Sequence, residues 1–268
     1  MAGERARVND PHCDNARFHI MSTLPVVGQP SSAELLRASG MRHLAIIMDG
    51  NRRWARQHHL PILAGHDQGS EALRRTALYA NDLGLNFLTV YAFSTENWQR
   101  PLDEVNGLMG LFSSALARLL PELHENGIRL RFFGGLSQFP AEVREQQQYG
   151  MELTRNNSRM VLQVAMNYGS RRELLRACVA LIGECQANGR APDELTEADI
   201  GKHLYLPGCP DPDVILRSGG EHRLSNFMLW QAAYAEVMIS DVLWPDFSPA
   251  DLDKVILEFS NRRRRFGR

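Results

Sequence analysis

Three stretches of the 268-residue chain concentrate side chains able to hold a phosphorylated, partly apolar molecule. The first is Asp49-Gly50-Asn51-Arg52-Arg53-Trp54. A carboxylate followed by a flexible glycine and two arginines suits a metal-bound diphosphate. The acid can hold Mg²⁺, while guanidinium groups and loop N–H donors take phosphate oxygens. Gly65-His66 is expected just before a helix whose N-terminus would favour an anion. The second stretch, Tyr91-Ala92-Phe93-Ser94-Thr95-Glu96-Asn97-Trp98-Gln99-Arg100, mixes hydroxyls, an amide and an arginine with large aromatics. Such a mixture fits a substrate with a charged head and an apolar body. The third runs from Arg217 to Asn226: Arg217 and Arg223 flank Gly219-Gly220, with Ser225 two residues beyond, as in a second phosphate cradle. The same strings would also serve as an ordinary βα turn with solvated arginines and as a capped helix start with core aromatics. The basic tail from Arg262 to Arg265 reads equally as solvated or as bound to nucleic acid.

Other chemistries find no support. There is no GxGxxG or Walker string for a dinucleotide or nucleoside triphosphate and no HExxH or paired-histidine spacing for zinc. Neither Ser94 nor Ser225 lies in a GxSxG elbow. A formal charge of −1 gives no long-range field, against a nucleic-acid binder. Of 30 basic residues, only Lys202 and Lys254 are lysines. Arginine is the better bidentate phosphate ligand, although codon bias explains the same skew. A 44% hydrophobic content supports a real core. Four cysteines without CxxC spacing read as free thiols. No apolar run approaches the roughly 20 residues of a membrane span, and the polar N-terminus is no signal peptide. These features point to the cytosol, with at most transient membrane contact.

The elements that must position these residues alternate. Strands are expected at 43–48, 86–93, 128–133, 160–166, 213–217 and 237–240. Helices are expected at 68–83, from 101 to near 127, at 141–156, at 171–186, and after Ser248-Pro-Ala-Asp251. This alternation predicts an α/β fold, a central, mostly parallel six-stranded sheet with helices on both faces, in one domain over 41–268. Residues 1–40 read as a mobile extension holding a short helix near 34–38. Met21 is an alternative start, which would leave 1–20 outside the native chain. In such open sheets ligands bind beyond the carboxyl ends of the strands, and the first strand leads to Asp49.

Taken in order, HLAIIMDGNRRWA, AGH, LTVYAFSTENWQRP, NYGSR, ILRSGGEHRLSNFMLWQAAYAE and DVLWPDF resemble the cis-prenyltransferase family, most closely bacterial undecaprenyl diphosphate synthases. The resemblance covers about 41–267. It implies a homodimeric α/β fold with a hydrophobic tunnel, and Mg²⁺-dependent condensation of isopentenyl diphosphate with an allylic diphosphate such as farnesyl diphosphate. The product would be a long-chain Z-polyprenyl diphosphate such as undecaprenyl diphosphate. By the same resemblance Asp49 and Asn97 are catalytic, and Asp49 with Glu236 holds the metal. Asn51, Arg53 and His66 belong to the allylic diphosphate site. Tyr91, Phe93, Ser94, Asn97, Trp98 and Arg100 shape the reacting region, while Arg217, Arg223 and Ser225 hold isopentenyl diphosphate. Gly50, Arg52, Trp54, Thr95 and Glu96 lie in the same strings and count as substrate-binding. Arg265 and Gly267 match an Arg-x-Gly that reaches the partner subunit's site. Pyrophosphate oxygen, an Asn97-held water and Asp49 all remain as proton acceptors.

Two departures stand out. Ile62 replaces an arginine common in the family four residues before His66, and Arg52 stands where many bacterial members have glycine. Arg52 is expected to compensate in part for the missing arginine. Gly134-Gly135 also replaces the usual Gly-Asp. Two other readings are a short-chain Z-prenyl synthase, which tunnel-plugging residues would decide, and a non-catalytic partner subunit. Retention of Asp49, Arg217, Arg223 and Glu236 counts against the second.

Overall fold

The computed structural model describes residues 30–262. The element order is α1 (Ser32–Ser39), β1 (His43–Ile47), α2 (Asn51–Gln57), α3 (Ile62–Leu83), β2 (Phe87–Ser94), α4 (Leu102–Glu125), β3 (Ile128–Gly134), α5 (Ala141–Leu153), β4 (Met160–Tyr168), α6 (Ser170–Asn188), α7 (Glu197–His203), β5 (Val214–Arg217), β6 (Glu236–Ile239) and α8 (Pro249–Asn261). The six strands form one sheet in the order β3-β4-β2-β1-β5-β6, and every pairing is parallel. Burial on both faces explains why β1 and β5 read as unbroken apolar runs rather than alternating ones.

Alternate residues of β1 serve two cores. Leu44 and Ile46 of β1 join the larger one, which α1, α3, α4, α5 and α8 close. Ala45 and Ile47 face the smaller one, closed by Phe227, Met228, Tyr205 and Leu206. Arg176 of α6 lies over the Tyr205 ring at 4.3 Å. Strand order reverses beside β1, whose neighbours are β2 and β5, and that reversal opens a crevice at the carboxyl edge.

The short helix expected near 34–38 is α1, set by a Ser31–Glu34 capping box and ended by left-handed Gly40. Its Leu36 is buried in the larger core beside residues of α8, so 32–40 pack on the body rather than forming part of a mobile extension. Residues 1–20 and Met21 lie outside the described residues. Two short helices, α2 and α7, were not expected from the sequence, and α3 begins six residues before its expected start. Among the described residues no helix is long and apolar enough to cross a membrane.

Candidate active site

Asp49 stands two residues past the end of β1, and its backbone is pinned before its side chain is. The Ser218 hydroxyl, just beyond β5, donates to the Asp49 carbonyl at 2.8 Å and accepts the Asp49 N–H at 2.9 Å. The carboxylate then meets two guanidinium groups. Arg217 lies at 2.8 Å and Arg53 at 3.4 Å. Arg217 is only 5% exposed, and its other nitrogen donates to the Ser225 hydroxyl at 2.7 Å and to the Arg223 carbonyl. The first and third strings are thus joined across the β1–β5 seam. Arg223 itself is largely exposed and pairs with Glu221, which also faces Arg53 at 4.0 Å.

A cavity of about 410 Å³ runs from this charged mouth into the layer between the sheet and α3/α4. Asp49, Asn51, His66, Tyr91, Phe93, Ser94, Asn97, Arg100, Arg217, Arg223 and Ser225 all line it. Beyond them the walls are apolar: Leu108, Phe112, Leu116 and Leu119 of α4, Leu130 and Phe132 of β3, Val164 and Met166 of β4. The cavity is therefore charged at one end and hydrocarbon at the other. The apolar stripe of α4 from Leu108 to Leu119 thus forms part of the cavity wall.

Arg100 and His66 face each other across the mouth. Burial, then the charges of Arg100 and Arg52, holds the His66 imidazole down at about 4, so it is neutral near pH 7. Burial lowers the Arg100 pKa too, and Glu104 at 3.3 Å opposes that. Arg52 points toward the same group, 3.6 Å from Glu104. Asn51 Oδ1, Arg52 Nε, His66 Nε2 and Arg217 Nε are buried without hydrogen-bond partners. The two arginine Nε atoms are donors that an anion would satisfy, and unpaired buried polar groups are costly, whereas Asn51 Oδ1 can only accept and packs against Gly69.

Several expected residues hold the frame instead of the cavity. Gly65 and His66 lie inside α3 rather than before it, because α3 starts at Ile62; the anticipated helix N-terminus at His66 does not exist. Trp54 donates to Asp246 at 2.7 Å and stacks on His58. Trp98 donates to Asn167 at 2.9 Å and packs edge-on against Phe93. Glu96 accepts from Asn226 at 3.2 Å, and Thr95 bonds Glu96. Asn226 also takes the Arg171 N–H at 2.9 Å, steadying a left-handed Ser225-Asn226 pair (φ 48° and 64°). Gly50, left-handed at φ 114°, caps α2. Asn97 Oδ1 accepts the Ser94 N–H at 3.0 Å, which leaves its amide nitrogen for the cavity. The Gly219 and Gly220 N–H groups are spent on Val242 and Ser240 carbonyls, so the third string binds through side chains, not through a backbone cradle.

Glu236 is not brought together with Asp49 within one chain. It opens β6 in register with Val214, whereas Arg217 is level with Ile239 at the other end. Three residues of strand separate the two levels by about 10 Å, and the Glu236 carboxylate is taken by Arg262 at 2.5 Å. Within one chain it cannot share a cation with Asp49. Arg265 and Gly267 lie outside the described residues. Ser218 and Asn226 do work that the sequence reading assigned to no residue; only their places beside Arg217 and Ser225 hinted at it.

For a divalent cation, among the described residues no cluster of three or more His, Cys, Asp or Glu side chains is present. Mg²⁺ often binds through one or two carboxylates plus substrate phosphates. Asp49 fits that single-anchor role, not a prebuilt cage.

Residues 47–267 match the sequence family described as putative undecaprenyl diphosphate synthase. An isoprenyl transferase of Clostridium perfringens is 46% identical over 226 residues, 84% of this chain and 89% of the relative. Isoprenyl transferase 2 of Bradyrhizobium diazoefficiens is 44% identical over 231 residues, 86% and 92% of the two chains. Among solved structures, lavandulyl diphosphate synthase from Lavandula x intermedia, in complex with dimethylallyl diphosphate, superposes with a TM-score of 0.82 at 31% identity. That alignment covers 86% of this chain and 99% of the other. A probable undecaprenyl diphosphate synthase from Campylobacter jejuni gives a TM-score of 0.71 at 34% identity, covering 85% and 99%.

Proposed function

Since this chain belongs to the undecaprenyl diphosphate synthase family of prenyl-transferring enzymes, we propose that it condenses isopentenyl diphosphate with an allylic diphosphate, farnesyl diphosphate being the expected primer. The product is a long-chain Z-polyprenyl diphosphate such as undecaprenyl diphosphate. The observation that carries this reading is the cavity itself, with Asp49, His66, Arg100, Arg217 and Arg223 at its mouth and hydrocarbon walls behind.

Asp49 stands between two sets of ligands. On the α2 side, Asn51, Arg52, Arg53 and His66 would receive the allylic diphosphate. On the β5 side, Arg217, Arg223 and Ser225 would receive isopentenyl diphosphate. Together the two diphosphates carry about six negative charges when fully ionised, and guanidinium groups hold them without risk of deprotonation. Binding both heads at one mouth aims both hydrocarbon tails at Phe93 and the tunnel, and that positioning lowers the barrier to joining them. Mg²⁺ held through Asp49 would supply positive charge to the departing diphosphate. Fixed donors such as Arg217 and the Asn97 amide stabilise charge as it develops there.

A homodimer is part of the reading. Leu175, Val179 and Ile182 form an exposed apolar stripe on α6 at spacings of four and three. Leu229, Tyr234 and Val237 are further exposed apolar side chains after α7. With no membrane-crossing helix among the described residues, we place the enzyme in the cytosol, touching the membrane when product leaves.

Radiolabelled isopentenyl diphosphate, offered with geranyl, farnesyl and geranylgeranyl diphosphates with and without Mg²⁺, tests the reading. Long Z-products that require Mg²⁺ are expected. Single additions would favour a short-chain synthase, which the likeness to lavandulyl diphosphate synthase keeps in view. No incorporation with any primer would overturn the assignment. Asp49→Ala should lower kcat by at least a hundredfold, on the scale of losing a charge-stabilising group, with an unchanged circular dichroism spectrum.

A further inference from the structure

The far end of the tunnel has a second side. Leu116 of α4, 6% exposed, lines the tunnel and also lines a separate cavity of about 260 Å³ between α4 and α5. Ala117, Leu120, Pro121, Tyr149 and Leu153 wall that groove, with Gln146 as its one amide. It opens to the surface, where Tyr149 is 62% exposed. Pro121 lies inside α4 and removes one N–H from the helical ladder just where the two cavities meet.

Tunnel length explains why a second space would be needed. The α4 wall from Leu108 to Leu119 covers about 16 Å at 1.5 Å per residue. Four chain bonds per isoprene unit extend roughly 4–5 Å, by the same bond lengths that separate Cα atoms across three bonds. An extended chain therefore fills the tunnel after about three or four units. A longer one must fold back or leave, and the apolar space next in line lies behind Leu116.

We propose that the α4–α5 groove binds the tail of the growing polyprenyl chain, and that Leu116 is the gate the tail displaces to enter it. The inference rests on the prenyl-transfer reading above and adds to it a second hydrocarbon site and a length-determining residue. Occupancy by a lipid acyl chain is the competing possibility, and the experiment separates the two.

Product lengths are compared by reverse-phase chromatography for the full chain and for Ala117→Trp, Tyr149→Glu and Leu116→Ala, with farnesyl diphosphate as primer. Ala117 is exposed and outside the tunnel, so Ala117→Trp should fold and keep the rate of the first condensation. Its longest products should shorten by one or more isoprene units. Tyr149→Glu should shorten them too, by placing a charge in the tail's path, while Leu116→Ala should lengthen them. Identical length distributions in all three variants would overturn the gate while leaving prenyl transfer intact. Unchanged lengths with weaker binding to phosphatidylglycerol vesicles would give the groove to a lipid and also overturn it. Failure of the unmodified chain to elongate at all would instead remove the prenyl-transfer reading on which it rests.

Discussion

Arg52 and Ile62 set the charge on the α2–α3 side of the mouth. Ile62 is half-buried in the first turn of α3 and brings no charge to the mouth. Arg52 and Arg100 both pair with Glu104, and Arg52 is near enough to Arg100 and His66 to depress both pKa values. A charge-assisted hydrogen bond contributes about 1.5–3 kcal/mol. Arg52→Gly should therefore raise the KM for the allylic substrate roughly tenfold to a hundredfold, while Ile62→Arg lowers it. In the Ile62→Arg background the Arg52→Gly penalty should shrink, because the two guanidinium groups serve one phosphate. Steady-state kinetics around this cycle check the claim, and strictly additive effects would contradict it. Both residues were legible in the sequence. The crowding of two cations and a neutral imidazole was not, because residues 52, 66 and 100 meet only across α2, α3 and the start of α4.

Helix α2 shows why one element escaped the sequence. It has seven residues, no side-chain cap and no clear apolar period, so it offers little local signal. It exists because α3 lets it lie close. A Cβ at Gly65 would come within 2.2 Å of the Asn51 carbonyl oxygen, and one at Gly69 within 2.3 Å of Asn51 Oδ1. These glycines weaken helix propensity within α3, which is also why its expected start fell too late. Gly65→Ala must push α2 off α3 and carry Asn51 and Arg53 away from Asp49. The expected result is a loss of about 1–3 kcal/mol in stability from overpacking together with a fall in kcat/KM, neither of which Gly110→Ala should show, since a Cβ there meets nothing within 4 Å. Urea unfolding and kinetics on both variants decide it. By contrast α4 and α8 could be read directly, since long amphipathic periods and the Ser248–Asp251 capping box are local signals.

The whole molecule sets two further properties. The α6 stripe should hold two chains together, so Val179→Glu should yield monomers by sedimentation velocity, while an unchanged dimer would place the interface elsewhere. The second property is acid sensitivity. His43, fully buried between the Pro210 carbonyl and Thr89 (both at 2.7 Å), is held down to about 4 chiefly by burial, as His66 is. In the unfolded chain both take a proton near 6.5. Between those values the unfolded state binds more protons. Stability is thus complete above about pH 6.5 and falls as pH drops toward 4, by on the order of 3 kcal/mol for His43 alone. Melting temperatures measured from pH 7.5 to 4.5 should fall through that window, and a flat profile would contradict the account.

By itself the sequence determined the sheet, its long helices, and most side chains of the charged mouth. Apolar runs, capping residues and short strings of Asp, Arg and Ser act over neighbouring positions, and one chain displays them in full. The tertiary structure decided which of those side chains share a space. Glu236 and Asp49 both follow from strand ends, but parallel register places them at opposite ends of their strands. Trp98 and Glu96 lie within a binding string yet brace the frame, and Leu116 separates two cavities that no local pattern distinguishes from ordinary core. Register, close helix contact and the meeting of cavities are relations between distant segments, fixed only when packing brings them together.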